Sequence, residues 1–139
     1  MTEAQRAVAG AVDIWESSTG RDLFQYTAGE GMPVHIGYRR RDLTPAFAGL
    51  QVNVGEFSET RSGTGTRRNP RIRVFQFEDS SELELILTHE LGHAIGLGHV
   101  TDPEAVMHDA YEVGPRDRVR LADADLAAFA ARCGTAEGR

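Results

Sequence analysis

The sequence predicts an α+β domain, on three observations. Apolar residues recur at helical spacing near both ends and through a central segment, short alternating runs lie between residues 23 and 77, and clusters of Gly, Pro, Ser and Thr separate these runs. A chain of 139 residues, 40% hydrophobic and 26% charged, fits one domain spanning residues 1–139. A chain of this size buries roughly two thirds of its unfolded surface, so a core forms without disulfides. The single cysteine, Cys133, rules out an intramolecular disulfide and leaves the redox compartment open.

Ala7, Val8, Ala11, Val12, Ile14 and Trp15 share one stripe of a helix over residues 3–18, which Gly20 ends. Residues 23–26 and 34–38 read as short strands, separated by the turn Gly-Glu-Gly-Met-Pro. His35, in the second of them, reads as an ordinary strand side chain, and Arg39, Arg40 and Arg41 as a solvated strand end. From 49 to 57, Leu50, Val52 and Val54 alternate with Gln51 and Asn53, which marks a half-buried strand. Residues 58–70 are rich in breakers and nearly free of apolar side chains, so they read as an exposed connector, with a flap over a cleft as the other reading. In 71–77, Ile72 and Val74 alternate with Arg73, Phe75 and Phe77, a strand buried on part of both faces.

Ser80 or Ser81 is expected to cap the next helix, with Glu82 and Glu84 in its first turn complementing the helix dipole. Leu83, Leu85, Ile86, Leu87, Leu91, Ala94 and Ile95 make this helix apolar nearly all round, the pattern of one buried beneath a sheet. A closing helix is expected over 121–133, capped by Asp123 and stopped by Gly134.

Set into the buried helix is the string His89-Glu90-Leu91-Gly92-His93-Ala94-Ile95-Gly96-Leu97-Gly98-His99, the spacing HExxHxxGxxH, with Met107 following. A helix turns once every 3.6 residues, so His89 and His93 stand one turn apart on one face and can grip one ion. Glu90 can reach a metal-bound water without being a ligand, as a general base does. Gly96 tolerates positive φ, so the helix can stop there and a loop can deliver His99 as third ligand, leaving one open position on a tetrahedral zinc. A helical histidine alone is more often a packed or solvated side chain. Five fixed positions, however, arise by chance in a chain this long roughly once in ten thousand sequences or fewer.

On these residues the chain resembles the metzincin clan of zinc endopeptidases, with Met107 as the methionine of the Met-turn beneath the zinc, and within the clan the matrixin family. His99-Val100-Thr101-Asp102-Pro103-Glu104-Ala105-Val106-Met107 is similar to the matrixin passage from third ligand to Met-turn almost residue for residue. Ala11-Val12-Asp13-Ile14-Trp15-Glu16 resembles the family's first helix, and 121–129 the start of its last. The resemblance implies a metzincin-like catalytic domain: a small twisted mixed β-sheet, an active-site helix and a C-terminal helix. Matrixins usually carry a strand before the first helix, whereas this chain opens on that helix at Thr2, so the first matrixin strand is expected to be absent. Residues 38–70 contain no histidine and one aspartate, Asp42, so the structural zinc and calcium loop of animal matrixins has no counterpart and no second zinc is expected.

What the resemblance implies for function is a zinc-dependent endopeptidase that hydrolyses peptide bonds through a zinc-bound water activated by Glu90. One catalytic Zn2+ is expected on His89, His93 and His99, with Met107 as an apolar floor. An edge strand carrying Val52 and Val54 is expected to bind extended substrate through main-chain hydrogen bonds. His108, read as a surface residue or as pocket lining, and Tyr111 stand beside the pocket for the residue after the cleaved bond. An inactive or latent zinc module that binds extended peptides, and hydrolysis of a non-peptide amide, are the competing readings.

The expected partner is a protein or peptide substrate, and the chain is expected to be monomeric. A net charge of −6 weighs against nucleic acid, and no segment approaches the roughly 20 apolar residues of a membrane span. Secretion is expected by family resemblance, although residues 1–20 lack a charged start followed by an apolar run.

Overall fold

The computed structural model describes residues 2–25, 31–37, 55–65, 67–75, 77, 79–109 and 119–133. Within them the chain forms α1 (Glu3–Thr19), β1 (Val34–Ile36), β2 (Gly55–Arg61), β3 (Arg67–Val74), α2 (Ser80–Ile95) and α3 (Asp123–Cys133). This is an α+β fold with a small mixed sheet in the order β1-β3-β2. β3 pairs parallel with β1, Val34 opposite Ile72, and antiparallel with β2, Phe57 opposite Ile72. Ile72 and Val74 are thereby buried, and α2 packs against β2, β3 and α1.

α1 starts on a capping box in which Thr2 and Gln5 satisfy each other's backbone N–H, and it ends on Gly20 at φ 68°. Its buried stripe is Ala7, Ala11, Val12 and Trp15. Trp15 is fully buried, and its indole N–H donates to the Thr88 carbonyl at 2.7 Å. A buried indole needs such a partner, and this one fixes α1 against α2 at the turn that carries His89. Phe129 of α3 approaches from the other side, its ring centroid 6.4 Å from that of Trp15.

Several boundaries differ from those the sequence predicts, each for a physical reason. Residues 23–25 do not form a strand: the N–H groups of Leu23 and Phe24 donate to the Glu16 carboxylate at 2.7 and 3.1 Å, which takes the donors a neighbouring strand would need. The same two bonds, that of Phe24 foremost, hold the Glu16 carboxyl below its ordinary range. The stretch 58–70 is no simple connector. Ser58 to Arg61 prolong β2 and Arg67 to Pro70 begin β3, paired through Ser58 with Arg71, Thr60 with Arg68 and Arg61 with Arg67 across an irregularity at 58–60. Polar side chains suit this hairpin because it projects beyond the core, so hydrophobic alternation could not reveal it. β3 accordingly ends at Val74, with Phe75 38% exposed, while Phe77 is buried beyond the strand.

The caps also move by one or two residues. Asp79, not Ser80 or Ser81, caps α2, its carboxylate accepting from Glu82 N at 2.8 Å, while Ser80 donates to Glu3 instead. At α3 the cap position is Ala122, whose carbonyl accepts from Leu126 N at 3.2 Å, and Asp123 is the first helical residue. Of the strand expected over 49–57, residues 55–57 open β2, whereas 49–54, including Val52 and Val54, lie outside the described residues, as do the arginines 39–41, Tyr111 and Gly134.

Gly92 of α2 faces inward. A Cβ there would overlap Met107 Sδ and approach Trp15 Cζ2 to 2.9 Å, both in fully buried side chains. Helix propensity alone favours Gly92→Ala by about 1 kcal/mol. Overpacking a filled core costs about 1–3 kcal/mol and decides the sign. Urea denaturation is therefore expected to find Gly92→Ala less stable than the parent; a stabilised variant would contradict this packing.

Candidate metal centre

Helix α2 carries the site because its polar residues have nowhere else to go. Leu83, Leu85, Ile86, Leu87 and Leu91 occupy the core on nearly every side, and His89 and Glu90, each 3% exposed, are buried with them. His93 is half-buried one turn on. Gly96 then takes φ 112°, a conformation that side chains rarely adopt, and Leu97 N–H reaches back to Gly92 O at 3.0 Å, closing the helix in a Schellman turn. The reversed chain delivers His99 to the same point in space, with its side chain exposed.

The three rings converge. Ring centroids lie 4.7 Å apart for His89 and His93, 4.9 Å for His93 and His99, and 5.3 Å for His89 and His99. One nitrogen from each ring lies within 4.8 Å of the others, a group that could hold a metal ion. The rings of the two helical histidines are fixed from behind. His89 Nδ1 lies 2.6 Å from Val106 O and His93 Nδ1 lies 2.8 Å from Leu97 O. A carbonyl only accepts, so both Nδ1 atoms carry the proton and both Nε2 atoms carry a lone pair.

Those two lone pairs face each other across 3.1 Å. Two acceptors at that distance repel, and a cation between them removes the repulsion. A tetrahedral zinc with Zn–N bonds of about 2.0–2.1 Å separates its ligand nitrogens by about 3.3 Å. The donor set and the spacing of the two helical nitrogens therefore fit zinc, with a His99 nitrogen within 4.8 Å of both. Burial pushes the His89 imidazole down to about 4, with the bond to Val106 opposing this and the neighbouring His93 and His99 adding to it. Burial likewise lowers His93. Both rings are neutral at pH 7, the state that ligates.

Glu90 Oε1 lies 3.9 Å from His89 Nε2. The start of β2 stands over this carboxylate: a Cβ on Gly55 would lie 3.6 Å from Glu90 Cγ and 2.6 Å from Ile86 Cγ2. Met107, 0% exposed, packs against Gly92, one residue before His93. After His99 the chain closes on itself through Val100 N to Met107 O at 3.0 Å and a bridge between Val100 and His108. His108 is partly buried beside Asp109, its Nδ1 3.6 Å from Asp109 Oδ1. His35, exposed in β1, takes no part in the histidine group.

Sequence reasoning missed one residue of consequence. Asp125 is fully buried and accepts from Val106 N at 2.9 Å, Met107 N at 2.8 Å and Ala122 N at 2.8 Å, which ties the loop under the histidines to α3. The signal was its place one helical turn before Phe129, a carboxylate in register with the buried stripe.

Comparison with known proteins agrees with this geometry. The family model described as Matrixin matches residues 1–131. Matrix metalloproteinase-16 of Mus musculus is 29% identical over 146 aligned positions, covering 89% of this chain and 23% of that protein. Neutrophil collagenase of Homo sapiens is 24% identical over 137 positions, covering 89% of this chain and 27% of that protein. Matrilysin of Homo sapiens is 46% identical over 39 residues, 28% of this chain and 15% of that protein. The chain thus spans about a quarter or less of the length of these relatives. No helix among the described residues is long and apolar enough to cross a membrane.

The low value of His89 has a direction for stability. Between its ordinary 6.5 and about 4, the unfolded chain binds the proton that the buried ring refuses. The contribution is complete above pH 6.5 and is lost as pH falls toward 4. In the metal-free protein, the His89 ring nitrogens followed by NMR are expected to titrate near pH 4; a midpoint at 6.5 would contradict the burial.

Proposed function

The chain belongs to the matrixin family, whose members are zinc peptidases, and from that premise we propose that it is a zinc-dependent endopeptidase in which Glu90 carries the proton. One observation supports this above the others: two imidazole lone pairs held face to face by backbone carbonyls, beside a buried carboxylate. His89, His93 and His99 would hold one ion. Bound zinc would supply Lewis acidity, lowering the pKa of a water ligand towards about 7 and polarising a carbonyl oxygen. Because the three donors are imidazoles, the ligand set adds no negative charge of its own.

Glu90 is buried next to His89, where its carboxylate can accept a proton from water and return it to the leaving amine. Met107, fully buried against Gly92, is proposed as the apolar floor of the site. Substrate is proposed to lie extended along β2. This strand pairs with β3 on one side, and its first residue, Gly55, stands over Glu90, so a peptide added to its other edge would pass the carboxylate. Val52 and Val54, just before β2, are proposed to line that edge, and His108 and Tyr111 the pocket beyond the cleaved bond. Main-chain pairing reads any extended chain, so the substrate class is protein or peptide.

We take residues 1–139 as one catalytic domain, since α1, β3, α2 and α3 share one core, and as a monomer acting outside the cell by family membership. Glu90→Ala is expected to keep about one zinc per chain and to lose turnover of a quenched-fluorescence peptide by roughly 10²–10⁴-fold. Cleavage as fast as the parent's would remove Glu90 from the mechanism. A parent that binds zinc but cuts no member of a peptide library would favour a binding module.

A further inference from the structure

A line of hydrogen bonds connects His89 to α3 through a single peptide bond. The Val106 carbonyl, which receives His89 Nδ1–H at 2.6 Å, and the Met107 N–H, which donates to Asp125 Oδ1 at 2.8 Å, are the two ends of one amide. Amide resonance couples those ends. Negative charge at the N–H end drives density onto the oxygen, which strengthens the bond from the imidazole and enriches its far nitrogen. The 2.6 Å separation lies below the usual N–H···O range of about 2.7–3.2 Å, as such reinforcement requires.

Asp125 is placed for this and for more than capping. Only its bond from Ala122 N serves the start of α3, whereas the bonds from Val106 and Met107 go to the loop under the histidines. Burying a full charge is expensive, and the three N–H donors together with the N-terminal end of α3 offset that expense. Resting on the zinc peptidase reading, we propose that Asp125 is a positioning residue for the metal centre. Through the Val106–Met107 peptide it fixes the tautomer and angle of the His89 ring and raises the donor strength of Nε2 towards a divalent cation.

The amides that share this carboxylate supply an internal control. Met107 N–H belongs to the peptide that meets His89, and Ala122 N–H does not. On titration of the 15N-labelled parent with zinc, the Met107 amide proton is expected to move downfield while that of Ala122 stays in place. Equal movement of the two, or none in Met107, overturns the proposal.

Asp125→Asn is expected to weaken zinc, measured by chelator competition, about tenfold, the lower end of the range for groups bonded behind a ligand. It should also shift the visible bands of the cobalt-loaded protein. Phe129→Leu, which loosens α3 without touching the line of bonds, should change neither; equal changes in both variants would reduce Asp125 to a structural clamp. If Asp125→Asn does not fold, the parent's two amides decide the matter. A parent that takes up no stoichiometric zinc defeats the peptidase reading and this inference together, whereas zinc uptake without the Met107 shift defeats this inference alone.

Discussion

Two lone pairs facing each other at 3.1 Å are an arrangement a protein does not hold without cause. The rings are fixed from behind by backbone carbonyls, one from the loop after α2 and one from the loop after His99, so neither can turn its nitrogen away without breaking a bond that is buried at His89 and partly buried at His93. A buried bond left unmade costs roughly 1–3 kcal/mol. The repulsion is therefore built in by the backbone, and a cation between the rings would relieve it. Each other feature of the site has a place in maintaining that opposition: the position of α2 under the sheet, the reversal at Gly96 and the clasp of Asp125 on the loop.

Distances in the site are set as much by absent side chains as by present ones. At Gly92 a methyl group would press Met107 down and Trp15 aside, and with them the floor and the anchor of α2. At Gly55 it would run into Ile86 and touch Glu90 at ordinary contact distance, lifting the strand proposed to hold substrate. Gly96 combines a φ of 112° with a Cβ position only 2.9 Å from Arg132 Nε, so the reversal that brings back His99 also lets α3 close over the end of α2. Three close approaches between backbone and neighbour thus set the positions of Glu90, the histidines and Met107 relative to one another.

How much of this was legible in the sequence depended on whether the residues act through period or through contact. The convergence of His89, His93 and His99 follows from helical geometry and one glycine, and both were readable. So was the burial of α2, since Leu83, Leu87 and Leu91 leave no polar face. Strands were harder. Residues 23–25 have strand composition but give their N–H groups to Glu16, a contact made by a side chain seven and eight residues away. The hairpin at 58–70 has loop composition but is paired, because its partner is its own return strand and no core tests its pattern. The position of Asp125 in register with Phe129 signalled its burial, but its partners were not readable: two are backbone groups 18 and 19 residues distant, and backbone leaves no mark on sequence.

A cation held by the three histidines would be linked to folding through the helix that carries two of them. The residues that oppose each other in the site sit on the helix that also supplies Leu83, Ile86 and Leu87, all 0 or 1% exposed, to the core. Any cation bound by the folded chain and not by the unfolded one adds RT ln(1 + [L]/Kd) to stability, about 4 kcal/mol at a thousandfold excess over Kd. That is comparable with the whole stability of a marginal domain, about 5–15 kcal/mol. Protons act on the same helix in the opposite sense, since a charged His89 must either leave its apolar surroundings or keep its charge buried in them. The core thus favours neutral rings at His89 and His93, the state in which both Nε2 atoms offer a lone pair to a cation.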